Sequence, residues 1–116
     1  MIQIKRAYEP ATKKDGYRIL VDRVWPRGIK KQDLRLDEWA KEIAPSTRTR
    51  KSFGHKIENW QAFTKAYRQE LKAKELQPKL HEIADKSKKQ TVTLVYGAKD
   101  EVHNQAQVLK RVIADF

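Results

Sequence analysis

Apolar and polar positions along this chain follow two periods. Ile2 and Ile4 alternate with polar neighbours as far as Tyr8, the period of a strand. Residues 17–25 carry a denser block, Ile19-Leu20-Val21 and then Val24, and residues 91–96 read Thr-Val-Thr-Leu-Val-Tyr. Nearly unbroken apolar runs rich in β-branched residues predict strands covered on both faces, as in a parallel sheet. Elsewhere the period is helical. Trp60, Phe63, Tyr67 and Leu71 form one stripe, with Asn59 placed to cap it. Leu76, Leu80 and Ile83 form a shorter stripe with Pro78 in its first turn. Val102, Ala106, Leu109 and Ile113 form a third, widened by Val112, with Asp100 in the N-cap position. Leu36, Trp39 and Ile43 fit a further helical face that Pro45 stops. Residues 9–16, 26–33 and 44–57 read as loops, the first short enough for a hairpin or a tight parallel return. The order β, β, helical segments, β, α predicts an α/β fold. It is a small, mainly parallel sheet with helices packed on it, a single domain over residues 1–116.

Composition narrows the chemistry. A chain of 116 residues suits one hydrophobic core without covalent staples. It has no cysteine, which excludes disulfides, thiolate nucleophiles and Cys-based zinc sites. No apolar run approaches the roughly 20 residues of a membrane span, and residues 1–6 lack a secretory h-region. The expected setting is cytoplasmic, away from membranes. Lysine and arginine number 26 against 15 acids, a net charge of +11. Such a charge draws in polyanions. The basic residues are nonetheless scattered, as at Lys13-Lys14, Lys30-Lys31, Arg48 to Lys51 and Lys86 to Lys89, which equally describes a well-solvated surface.

Open parallel sheets bind ligands outside the carboxyl ends of their strands, and two such ends are polar here. At the first, an apolar strand runs into Asp22-Arg23 and then Trp25-Pro26-Arg27-Gly28. Proline fixes the chain direction, glycine permits a sharp turn, and Arg23 and Arg27 present planar guanidinium forks that suit a phosphate or carboxylate. The alternative is that Asp22 pairs with an arginine and braces the turn. At the second, Tyr96 to Asn104, a helix starting near Asp100 offers a positive end to an anion. His103 would sit in its first turn, off the apolar stripe, and serve as general acid or base oriented by Asp22 or Asp100. Arg18 or Lys99 could assist the anion, and Tyr8 and Tyr96 could supply hydroxyls. His55 lies in a loop near Arg48, Arg50 and Lys51. Trp25 divides evenly between a stacking platform and core; Trp39 and Trp60 read as core. The histidine spacing makes no metal site, no glycine-rich phosphate loop is present, and no cofactor is named by the sequence.

Taken in order, Tyr8-Glu9-Pro10, Arg18, Leu20-Val21-Asp22-Arg23, Trp25-Pro26-Arg27-Gly28, Trp39, Ala44-Pro45-Ser46, His55, Trp60, Phe63, Tyr67, Glu70-Leu71, Val92-Thr93-Leu94, Tyr96, Ala98-Lys99-Asp100 and His103-Asn104 resemble the YeaO-like family, within domain of unknown function 488. The resemblance runs from Tyr8 to Leu109. It implies an α/β fold in which Arg23 and Arg27 face Asp100 and His103, and it brings Lys99 and Asn104 into the cluster. It implies no established activity. Longer relatives carry cysteines at the late turn, and this chain has none. Ser52 and Lys56 stand where the family often has an aromatic and an aspartate around His55, which withdraws the acid a catalytic role for His55 would use.

Three functional classes follow. The first is an anion-binding protein, with room for catalysis by an Arg/Asp/His cluster, acting on a phosphorylated or carboxylated small molecule. The second is a nucleic-acid-binding module, its charge supplemented by stacking on Trp25 and His55. The third is a noncatalytic regulatory or interaction protein, favoured if the polar cluster is a closed salt-bridge network.

Overall fold

The computed structural model describes residues 1–116. In chain order the elements are β1 (Ile2–Arg6), β2 (Tyr17–Leu20), α1 (Lys31–Leu34), β3 (Glu38–Trp39), α2 (Thr47–Phe53), α3 (Trp60–Glu70), α4 (Gln77–Lys89), β4 (Val92–Tyr96) and α5 (Gln105–Ala114). The four strands are all parallel and lie in the order β1-β4-β2-β3. Leu94 is aligned with Ile4 on one side and Ile19 on the other. The last strand in sequence is therefore in the sheet interior, and all of its residues are buried. That position accounts for its unbroken apolar run.

Alternation divides each strand between two unlike faces. Ile19, Val21, Val92, Leu94 and Tyr96 join the main core, closed by Phe63 and Tyr67 of α3, Leu80 and Ile83 of α4, and Leu109 and Ile113 of α5. The opposite face carries a smaller core of Ala7, Leu20, Leu34 and Val95, with Trp25 and Trp39 packed against it. No long helix covers this second face. The connections from β1 to β2 and from β2 to β3 cover it instead.

The first connection is a parallel return that leaves room for β4 between β1 and β2. A polar network fastens it. Asp15 is buried and accepts from Lys5 Nζ at 3.1 Å, the Thr12 N–H at 3.0 Å and Arg18 Nη1 at 2.6 Å. Arg18 Nε and Nη2 donate to the Leu34 carbonyl at 3.2 and 2.8 Å, which draws α1 onto the same face. Gly16 ends the turn at φ 63°, and a Cβ there would fall 2.1 Å from the Thr91 oxygen. Only glycine permits that approach.

Several predicted elements shift. Residues 34–43 do not form a helix. Leu34 ends α1, Trp39 belongs to β3, and Ile43 closes a 3-10 turn over Lys41–Ile43. Pairing with β2 decides this: the Asp37 and Ala40 N–H groups donate to the Arg18 and Leu20 carbonyls, both at 2.9 Å. A short apolar run has no periodicity of its own that outweighs such bonds. The expected loop at 44–57 contains α2, whose N-cap Ser46 accepts from the Thr49 N–H at 3.2 Å. Its interior Thr-Arg-Thr-Arg-Lys-Ser lacks an apolar stripe, so periodicity could not reveal it. The C-terminal helix is capped by Asn104, which accepts from the Gln107 N–H at 3.1 Å, and not by Asp100. Asn59 stands at the N-cap position of α3 as expected, but its side chain accepts no bond from the helix; its amide instead donates to the Ser52 and Phe53 carbonyls and ties down the end of α2. No helix is long and apolar enough to cross a membrane.

Candidate functional site

Beyond Val21 the chain leaves the sheet and turns through Trp25-Pro26-Arg27-Gly28. The turn is held from several sides. Trp39 Nε1 donates to the Asp22 carbonyl at 2.7 Å and Trp25 Nε1 to the Ile29 carbonyl at 2.7 Å. The two indoles meet edge to face with centroids 5.4 Å apart. Tyr8, just beyond β1, donates its hydroxyl to the Arg27 carbonyl at 2.8 Å. The turn, the Gly97-Ala98 end of β4 and the inner side of α2 enclose a pocket of about 300 Å³ at the carboxyl ends of the strands.

Its charge is one-sided. Arg23, Arg27, Arg50 and His55 line it, with Asp22 as the only acid. Arg23 is braced: Nε donates to the Pro45 carbonyl at 2.9 Å and Nη2 to the Ala44 carbonyl at 3.2 Å. A guanidinium has five N–H donors, so part of the fork remains free. The Arg27 and Arg50 guanidiniums make no salt bridge or hydrogen bond to the protein. Gly54 at φ 55° and His55 at φ 57° turn the chain beyond α2 and leave the His55 ring exposed, 5.7 Å from Phe53. A histidine in that conformation is held there against its intrinsic preference.

Asp22 shares the lining with these cations. Its Oδ2 accepts from the Gly97 N–H at 2.8 Å and its Oδ1 from the Gln105 amide. A Cβ on residue 97 would stand 2.9 Å from Oδ2, so glycine makes room for the carboxylate. Burial pushes the Asp22 carboxyl up to about 6, against the lowering pull of the Gly97 N–H, the Arg50 charge and the Gln105 amide. Glu70 behaves in the opposite way. Burial alone would raise it, but hydrogen bonds from Thr49 and Ser46 and the Arg23 charge hold it below the ordinary value. It belongs to a wider groove of about 790 Å³ between α2 and α3, where it anchors Ser46 at the start of α2.

The whole chain, residues 1–116, matches the model of the family described as "Inactive DUF488-N3 subclade". The chain is 54% identical over 108 residues to "Uncharacterized protein YeaO" of Escherichia coli (strain K12), covering 93% of this chain and 92% of that one. This is a YeaO-like DUF488 protein. The DUF488 chain is also 33% identical over 112 residues to "Uncharacterized protein Rv3073c" of Mycobacterium tuberculosis (strain ATCC 25618 / H37Rv), covering 97% of this chain and 92% of that one. The same figures hold for "Uncharacterized protein Mb3100c" of Mycobacterium bovis (strain ATCC BAA-935 / AF2122/97). No solved structure matches.

The pocket of this DUF488 chain gathers Tyr8, Asp22, Arg23, Trp25, Arg27 and His55 from the residues expected from sequence. It leaves out the others. Arg18 is on the opposite face, spent on Asp15 and Leu34. Tyr96 points into the main core. Lys99 is exposed and does not line the pocket. Asn104 is buried as a cap, and its amide also donates to the Asp100 carbonyl at 2.9 Å. His103 and Asp100 do meet, Nδ1 to Oδ2 at 2.9 Å, but they form a separate pair beside Trp60 whose ring lies 5.2 Å from the imidazole. Backbone N–H groups of His103 and Val102, then the His103 ring, hold Asp100 down at about 2. His103 precedes α5, so it cannot act from the first turn as expected. Gln105, inside that turn, takes the place facing Asp22.

Two pocket residues escaped sequence reading, Arg50 and Gln105. Arg50 stood in a visible basic run, yet its direction depends on α2. Gln105 adjoins the His103-Asn104 motif, but placing the helix start at Asp100 aimed the wrong residue at the strand ends. No group of three or more metal-ligating side chains is present.

Proposed function

We propose that this protein binds a small molecule carrying a phosphate or carboxylate in the strand-end pocket and holds it without turning it over. The observation that carries the reading is the convergence of Arg23, Arg27 and Arg50 on one cavity, with the Arg27 and Arg50 guanidiniums unpaired. Guanidinium forks match an oxyanion with paired hydrogen bonds, and a partly buried site screens them less than open solvent does. Binding without catalysis is favoured because the Asp100–His103 pair does not line the pocket and Tyr8 is engaged with Arg27. The word "inactive" in the description of the matched subclade agrees with it.

Calorimetric titration with inorganic phosphate and with acetate at low ionic strength tests this reading. Wild type is expected to bind at least one of them, and an Arg27→Ala/Arg50→Ala double variant is expected to lose roughly tenfold or more, each charge-assisted contact being worth about 1.5–3 kcal/mol. Equal affinity in both proteins would remove the pocket as the site.

The +11 charge favours a second reading, a polyanion laid across the same mouth, with exposed Arg48, Lys51 and Lys56 continuing the basic rim from α2 and the His55 turn. A single-stranded oligonucleotide whose affinity falls steeply with salt, and which the Arg27/Arg50 variant no longer binds, would promote it. A flat salt response would dismiss it.

A further inference from the structure

We infer that the ligand of the strand-end pocket carries a hydroxyl or amino hydrogen-bond donor beside its anionic group, and that Asp22 accepts from it. This rests on the anion-binding reading above and narrows it. A pocket meant for a bare anion gains nothing from a carboxylate in its lining, because like charges repel at short range. Here the carboxylate is built in. Glycine at position 97 leaves it the space that a Cβ would fill at 2.9 Å, and the Gly97 N–H and the Gln105 amide fix its two oxygens from β4 and α5. Asp22 makes no salt bridge: Arg50 acts on it as a charge without a direct hydrogen bond. A carboxylate has about four acceptor positions, and the protein occupies two of them. The remaining capacity belongs to a residue that lines the cavity. A ligand donor there would relieve a buried charge, whereas an oxyanion alone would leave it confined beneath a second negative charge. The volume of about 300 Å³ lies at the small end for ligand sites. A compact hydroxylated phosphate or carboxylate fits this size, and a dinucleotide does not.

The test compares probes of the same carbon skeleton that differ only in hydroxyls, by calorimetry at pH 7.5: glycerol 3-phosphate against propyl phosphate, and glycerate against propionate. Wild type is expected to prefer the hydroxylated member of whichever pair binds by roughly tenfold or more, as a charged acceptor contributes. Asp22→Asn keeps the side-chain volume and removes the charge, and is expected to narrow the preference to within about threefold. The comparison on wild type alone needs no variant to fold. Both members of a pair binding with equal affinity would overturn this inference and leave the anion pocket standing, as would an Asp22→Asn variant that keeps the full preference. Failure of wild type to bind any of the four probes would overturn the anion reading itself.

Discussion

Asp22→Asn also bears on stability, where the structure gives the sign as well as the size. Burial holds the Asp22 carboxyl at about 6 in the fold, against 3.8 for an unperturbed aspartate. Each tenfold change in acidity corresponds to about 1.4 kcal/mol, so an ionised Asp22 costs the folded state up to about 3 kcal/mol above pH 6. The folded protein takes up this proton as pH falls through 6, while the unfolded chain takes it up only near 3.8. The contribution of this group to stability therefore rises as pH falls across that window and is flat outside it. The charged and polar groups facing the carboxylate are Arg50 from α2, the Gly97 N–H from the end of β4 and Gln105 from α5, and all of them pull the other way. Asparagine can accept from the Gly97 N–H and pair with the Gln105 amide without bearing charge. Urea unfolding at pH 7.5 should find Asp22→Asn more stable than wild type by about 1–3 kcal/mol, with the gap narrowing by about 2 kcal/mol at pH 4.5. A variant less stable than wild type at pH 7.5, or a gap indifferent to pH, would refute the reasoning. The expected result is a site residue that weakens the fold it belongs to, as binding sites commonly do.

Three other changes separate structural residues from those of the pocket. Arg18→Ala leaves Asp15 buried without its guanidinium partner and should cost about 3–5 kcal/mol in urea unfolding, with anion affinity unaltered in any sample that remains folded. Gly16→Ala places a Cβ 2.1 Å from the Thr91 oxygen in a left-handed conformation, and should lower stability by about 2 kcal/mol or more in the same assay. His103→Ala removes the imidazole from a pair that lies outside the pocket, so phosphate affinity by calorimetry should stay within about twofold of wild type; a tenfold loss would return His103 to the site.

The elements legible in the amino-acid sequence are those whose burial is written into their own pattern of apolar residues. Nearly unbroken apolar runs marked β2 and β4, helical stripes marked α3 and α4, and Trp25-Pro26-Arg27-Gly28 marked the turn that builds one wall of the pocket. The expectation that two polar strand ends adjoin was met at Asp22 and Gly97, which stand 75 residues apart in sequence. Where a side chain with no periodic partner points depends instead on how the segments pack. Arg18 and Arg23 look alike along the chain, but strand alternation sends Arg18 under α1 to Asp15, while the chain beyond the carboxyl end of β2 carries Arg23 to the pocket. Glu38 and Trp39 became an edge strand because β2 offered backbone partners that a helical reading could not weigh. Arg50 entered the site through a short helix without an apolar stripe, and Gln105 through a helix that begins at Asn104. Gln105 meets Asp22 across 83 residues. Local propensity spans a few residues, whereas this pocket is made of contacts between segments that only the closed sheet brings within hydrogen-bonding distance.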